Sequence, residues 1–226
     1  FRKAVELYHA REYESALQIL ETEFERSPSR FVLWFVQGNC YFQMGKYRQA
    51  EHAYAMASWI DRSSALCHIK RAVCYYQLFQ NEAALEHFAK AEDIAPGIAA
   101  IYSNRCLLFE RRRSFDEALV EINRAIELQP NSARFLMMRS RIYRSLNRTT
   151  EAQADLSGIQ GLTPDNPDDW ITKGIAILAD SPVKAIACFR RAFVWPGGII
   201  TGRQNTAHVL SERLGRTEEA IGELDE

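Results

Sequence analysis

Residues 34–57 read WFVQGNCYFQMGKYRQAEHAYAMA. Trp34, Gly38 and Tyr41 are spaced by four and three, the spacing of one helix face. Ala50, Tyr54 and Ala57 repeat that spacing on a second helix. Between them Met44-Gly45-Lys46 is a short turn, and Gly45 suits the left-handed conformation that closes a helix. The stretch is a helical hairpin, with Gly38 and Ala50 small enough to let its two helices approach closely.

Ala50 belongs to a longer series. Ala16, Ala50, Ala84, Ala118 and Ala152 recur every 34 residues without a slip. A fixed period of this size marks a repeat architecture, in which each unit stacks on the next and the core grows along the chain. The flanking copies carry the same markers. In 65–98 they are Ala72, Tyr75, Ala84, Phe88, Ala91 and Pro96; in 99–132, Tyr102, Phe109, Phe115, Ala118, Ile122, Ala125 and Pro130. In 133–166 they are Tyr143, Ala152, Leu156 and Pro164. The proline stops the second helix of each unit. Arg62 stands at that place in 31–64, so a looser junction is expected there. The first copy, 1–30, is partial (Ala4, Leu7, Tyr13, Ala16, Leu20, Pro28). The copy at 167–200 is irregular, fitting only with one residue missing near Asp180-Ser181-Pro182. Trp195-Pro196-Gly197-Gly198 then reads as a turn that breaks the rhythm, and 201–226 is a last partial copy.

This pattern resembles the tetratricopeptide repeat family over nearly the whole chain. The resemblance implies an all-α fold: a right-handed superhelical solenoid of antiparallel helix pairs, forming one domain over 1–226. Phe1 opens the chain without a Met or a leader-like stretch, and the last expected helix runs into Glu226 with no polar capping helix after it. Both ends read as those of a fragment of a longer protein.

The resemblance further implies that the first helix of each unit lines a concave groove. The residues it places there include Phe35, Asn39 and Phe42, then Lys70, Val73 and Tyr76. Asn104 and Arg111 follow, then Arg134, Met138, Arg141 and Arg144. The first half is apolar and aromatic, the later half basic. The expected partner is a protein or peptide segment with an apolar stretch and an acidic stretch, held by aromatic anchors and by arginine–carboxylate pairs. Phe35 and Phe42 equally suit packing against a neighbouring helix. The clamp by which some members hold a chaperone's terminal carboxylate is not expected. Asn39 fits one slot, but Phe35, Lys70, Ala100 and Asn104 replace its other residues. The asparagine ladder of some glycosyltransferase-linked arrays is absent too, with Asn104 alone at its place.

Arg71, Arg105, Arg139 and Lys173 recur at one position of successive first helices. Internal pairing is favoured over a ligand-binding ladder, with Glu121 and Asp155 at matching places for Arg105 and Arg139. Arg111-Arg112-Arg113 closes a first helix, where cations complement the helix dipole.

Composition narrows the function classes. Of 226 residues, 47% are hydrophobic and 25% charged, with net charge −1, so no basic field favours nucleic acid or an acidic membrane. No apolar run is long enough for membrane insertion. Five cysteines without a CxxC pair read as buried free thiols in a reducing, cytoplasmic setting. The five histidines are scattered without metal-ligand spacing, and no cofactor is expected. Pro196-Gly197-Gly198 lacks the Gly-Lys-Ser/Thr of a phosphate loop, and no nucleophile–base signature appears. The leading expectation is a non-catalytic scaffold for protein–protein interaction. The alternatives are a regulatory or substrate-recruiting arm of a larger enzyme, such as a bacterial protein kinase or glycosyltransferase, and a module that assembles into homo-oligomers through its ends or the 180–200 region.

Overall fold

The computed structural model describes residues 1–27 and 29–225. The expected helix stop at Pro28, and Glu226, lie outside them. All regular structure among the described residues is helical. The chain divides into two compact units, Phe1–Leu108 and Phe109–Glu226.

In the first unit, α1 (Arg2–His9) and α2 (Tyr13–Arg26) form one hairpin, and α3 (Phe31–Gln43) and α4 (Tyr47–Ile60) the next. They are followed by α5 (Ala65–Gln77), α6 (Asn81–Ile94) and α7 (Ala99–Arg111), whose last residues pass into the second unit. The helix lengths explain the period. First helices α3, α5 and α7 have 13 residues and second helices α4 and α6 have 14. Turns of three and four residues complete the 34.

The three-residue turn has one backbone solution. Arg11, Gly45, Phe79, Arg113 and Asn147 all adopt positive φ, between 58° and 72°, and stand 34 residues apart. At each, the next N–H reaches back five residues to a helix carbonyl: Glu12 to Leu7, Lys46 to Tyr41, Gln80 to Tyr75, Ser114 to Phe109 and Arg148 to Tyr143. This is a Schellman closure, which satisfies carbonyls the helix end would otherwise strand. Only Gly45 was legible as such a turn.

The four-residue turns confirm the proline stops at Pro96 and Pro130, just beyond the ends of α6 and of α8 (Phe115–Leu128). Where Arg62 replaces the proline, α4 still ends at Ile60. There the Asp61 carboxylate accepts from the Ser63 N–H (3.0 Å) and hydroxyl (2.7 Å), and Ser64 caps α5. A polar turn thus does the work of the ring.

The seams hold the core. Ala16, Ala50, Ala84 and Ala118 are fully buried, and Ala152 nearly so. All five cysteines are free and buried. Burial pushes the Cys40 thiol up to about 11 and Cys74 up to about 12, so both are neutral packing groups.

The second unit continues with α8, α9 (Ala133–Ser145), α10 (Thr149–Gly161), α11 (Pro167–Ile177) and α12 (Pro182–Arg191). A 3-10 turn, Ala192–Val194, leads into α13 (Pro196–Leu214), and α14 (Thr217–Asp225) follows. Here the structure departs from the sequence expectation. Trp195–Gly198 is not a turn: Pro196 is the first residue of a 19-residue helix, and the expected boundary at 200/201 falls inside it. Proline is tolerated at a helix start, where its missing N–H has no partner to lose. Gly198 is buried, facing the Ala192 carbonyl and Pro167 with no room for a Cβ. The apolar cluster of Ile171, Ile186, Phe189, Val209 and Leu210 binds α11 to α13, with Ala220 of α14.

Candidate functional site

The residues expected to line a groove divide between the two units. In the first unit, Phe35 and Phe42 project from α3 and are half-buried. Phe35 stacks on Phe31 at 5.6 Å and leans on Tyr54. Phe42 packs edge-on against Tyr47, with centroids 5.3 Å apart. Both rings cover a buried cluster of Ala50, Tyr54 and Cys74. Each aromatic therefore supports the core on one side and keeps part of its surface in solvent. Asn39, between them, accepts a 2.7 Å hydrogen bond from the Tyr54 hydroxyl.

Lys70 stands on α5 one turn before Cys74. It is half-buried, no carboxylate among the described residues pairs with it, and desolvation holds its ammonium below the usual lysine range. Val73 and Tyr76 are half-buried on the same helix. Asn104 spends its amide on the Ala100 carbonyl, 2.7 Å away within α7.

In the second unit, Arg111 is half-buried at the end of α7. Arg134 is exposed, its guanidinium 6.0 Å from the Phe135 ring, and its backbone N–H donates to Asp169 at 2.7 Å. Arg141 is not an open cation. Its guanidinium grips Glu110 through two bonds of 2.8 and 2.6 Å. Arg144 is exposed and has no ion-pair partner among the described residues. It borders a depression of about 350 Å³ with Met137, Leu156 and Ile175. Met138 is corrected: it is only 5% exposed and packs in the core, leaving a partner almost no surface to grip.

The cationic series is engaged internally. Arg71 and the Tyr75 hydroxyl both donate to Glu51, at 2.7 and 3.0 Å. Arg105 donates to Glu92 at 2.5 Å. Arg139 holds Asp155 through bonds of 2.9 and 2.6 Å and also reaches Asn123. Lys173 donates to the Leu162 carbonyl. These groups lock one helix to its neighbour.

Two constellations were not legible in the sequence. His68 and His87 face each other with 3.2 Å between Nδ1 atoms, and the Tyr75 ring stacks on His87 at 5.3 Å. The imidazole centroids are 5.4 Å apart, so the two nitrogens lie almost on the line joining the rings. That alignment suits one shared N–H···N bond, with one ring donating and the other accepting. The second is the buried Asp169 carboxylate. It accepts from the Arg134 N–H and the Ser132 hydroxyl, and from the Asn166 amide. It thereby caps α9 from 35 residues away. Among the described residues, no three His, Cys, Asp or Glu side chains could hold a metal ion, and no helix is long and apolar enough to cross a membrane.

A tetratricopeptide repeat model matches residues 35–97 and 106–167. No curated protein matches the sequence. Among solved structures, a tetratricopeptide repeat protein from Parabacteroides merdae superposes with a TM-score of 0.65 at 15% identity, covering 92% of this chain and 81% of that one. A thermophilic TPR protein of Thermus thermophilus gives 0.62 at 19% identity, covering 78% and 96%. MamA (residues 41 to the end) from Desulfovibrio magneticus gives 0.63 at 13%, covering 71% and 91%. At such identities the likeness establishes the fold alone. With the repeat model spanning more than half of the residues and the 34-residue hairpins in register, the chain belongs to the tetratricopeptide repeat family.

Proposed function

We propose that this chain is a non-catalytic scaffold that holds an apolar and acidic peptide segment of a partner protein against its first helices. The family is one of protein–protein interaction scaffolds, which is the coarse function. The finer reading rests on Lys70. A half-buried ammonium with no carboxylate of its own, one turn from the cluster that Phe35 and Phe42 cover, carries an unmet demand for an anion beside an apolar surface. In the second unit Arg134 and Arg144 are exposed, solvated cations open to a carboxylate, whereas Arg141 would first have to release Glu110. A partner supplying aliphatic or aromatic groups to the rings and carboxylates to these cations satisfies both. The five free, buried cysteines support a reducing compartment, the cytoplasm.

The test is an array of immobilised 12-residue peptides in which apolar and acidic content vary independently. Peptides rich in both should capture the protein, and Lys70→Gln or Phe42→Ala should weaken capture. Equal capture of neutral or basic peptides, or capture unchanged by either substitution, would sink this reading.

A further inference from the structure

Glu51 shows what a carboxylate does in the seam between one hairpin and the next. From α4 it accepts from Arg71 at 2.7 Å and from the Tyr75 hydroxyl at 3.0 Å, both on α5. One repeat earlier the positions of Arg71 and Tyr75 are Gln37 and Tyr41 on α3, and the position of Glu51 is Leu17 on α2. Leucine offers no acceptor. The Tyr41 hydroxyl has no hydrogen-bond partner among the described residues.

A depression of about 400 Å³ opens at this place. Trp34, Gln37 and Tyr41 line it from α3, and Arg48, Gln49 and His52 from α4. Neighbouring helices flank this hairpin on both sides, α2 against α3 and α5 against α4, so the opening belongs to the interior of the first unit. Its charge is particular to this hairpin. Arg48 and His52 stand where α6 carries Glu82 and Glu86. Arg48 is exposed, with no carboxylate partner among the described residues. No acidic side chain lines the depression, and each of its polar side chains is able to donate a hydrogen bond. The half-buried Trp34 ring, backed by Phe24 at 4.5 Å between centroids, adds an apolar wall.

We propose that this depression is a binding site for a carboxylate carried on an apolar stem. The Arg48 guanidinium meets the carboxylate, the Tyr41 hydroxyl and the two glutamine carboxamides supply further donors, and the stem lies against Trp34. One repeat on, the chain itself supplies the carboxylate, as Glu51; here it comes from a ligand. An acidic side chain of a polypeptide and a free organic acid share this chemistry. The site goes beyond the first-helix reading, since it uses none of Phe35, Phe42 and Lys70.

The free-acid probe is 3-phenylpropionate, with 3-phenylpropionamide as its neutral counterpart. The polypeptide probe is a terminally blocked Phe-Glu-Phe tripeptide, with Phe-Gln-Phe as its counterpart. Each would be titrated into the whole ¹⁵N-labelled chain and followed by NMR at the Trp34 indole N–H and the Gln37 and Gln49 carboxamides. Saturable shifts are expected with the carboxylates, and binding about tenfold weaker with the amides. Arg48→Ser, at an exposed side chain, should weaken carboxylate binding about tenfold without disturbing the helical circular dichroism. Tyr41→Phe, which keeps the ring, should weaken it severalfold, and Lys70→Gln should leave it unchanged. Tighter binding of the tripeptide assigns the site to an acidic side chain, and tighter binding of the free acid assigns it to an organic acid; either upholds it. Equal binding of carboxylates and amides would overturn the proposal, as would indifference to Arg48→Ser or the failure of both carboxylates to bind.

Discussion

The Tyr54 ring lies directly on Gly38, so close that a Cβ on the glycine would stand 2.6 Å from Cε1 and 2.7 Å from Cδ1. The ring has nowhere to go, being fully buried with its hydroxyl bonded to Asn39. Gly174 and Phe189 repeat the relationship in the second unit. Gly38→Ala gains helix propensity of about 1 kcal/mol, but forcing a methyl into a filled seam costs about 1–3 kcal/mol. The clash here is at the upper end because the obstructing group is an anchored ring. A net loss of about 1–2 kcal/mol in urea unfolding is expected. A variant as stable as the parent would show that the seam relaxes freely.

Arg113 holds the same left-handed conformation as Gly45, at φ 60° against 72°, but as an L-residue with a side chain. That conformation costs a non-glycine residue about 1–2 kcal/mol, partly offset by glycine's greater freedom when unfolded. Arg113 is exposed, so Arg113→Gly surrenders no burial. Stability should rise by about 0.5–1 kcal/mol, read as a higher urea midpoint at constant slope. Gly45→Ala should fall by a similar amount. If the two substitutions moved stability in the same direction, backbone strain would not be the cause.

These turns show what could be read from the residues and what could not. Ala50 and its kin are legible because a seam too narrow for larger side chains imposes one residue type at a fixed step. The left-handed turn residue is imposed only on the backbone, so Arg11, Phe79, Arg113 and Asn147 carry no compositional mark of it. Pro196-Gly197-Gly198 misled for the opposite reason: its composition signals a turn, while close packing of Gly198 on the preceding segment selects a helix start. The candidate site was legible as positions and not as states. Periodicity put Arg141 and Met138 on first helices, but Glu110, 31 residues from Arg141, neutralises one, and the packed core swallows the other. Pairings at such separation depend on which neighbour's side chain reaches across, and no local pattern records that.

Arg139 and Asp155 lock α9 to α10 with two hydrogen bonds, and the Asp155 side chain is only 6% exposed. Removing one partner strands the other's charge. Asp155→Leu should therefore cost about 3–5 kcal/mol, the range for breaking a buried pair. Replacing both, Arg139→Met with Asp155→Leu, removes the desolvated charges together and should recover most of that loss. The measurement is a double-mutant cycle by chemical denaturation. Additive losses in the double variant would mean that the pair is not coupled.

His87 gives the chain a predictable response to acid. Burial foremost, then the positive charges of Arg71 and Lys90 and the neighbouring His68, depress its pKa from the ordinary 6.5 to about 4; Glu86 opposes them weakly. His68 is lowered too, by burial and by the same Arg71 and Lys90. Tyr75 stacks on the ring and donates its hydroxyl to Glu51. The unfolded chain protonates a histidine near pH 6.5, whereas folded His87 stays neutral until about pH 4. Between those values the unfolded state binds more protons, so stability falls as pH falls. At pH 5 the contribution of His87 alone is a loss of about 2 kcal/mol relative to pH 7.5. His87→Gln keeps a hydrogen-bonding group beside His68 but cannot take up the proton. Urea unfolding at the two pH values should show a clearly smaller drop for the variant than for the parent. Equal drops would assign the acid sensitivity to other groups and leave the imidazole pair without influence on it.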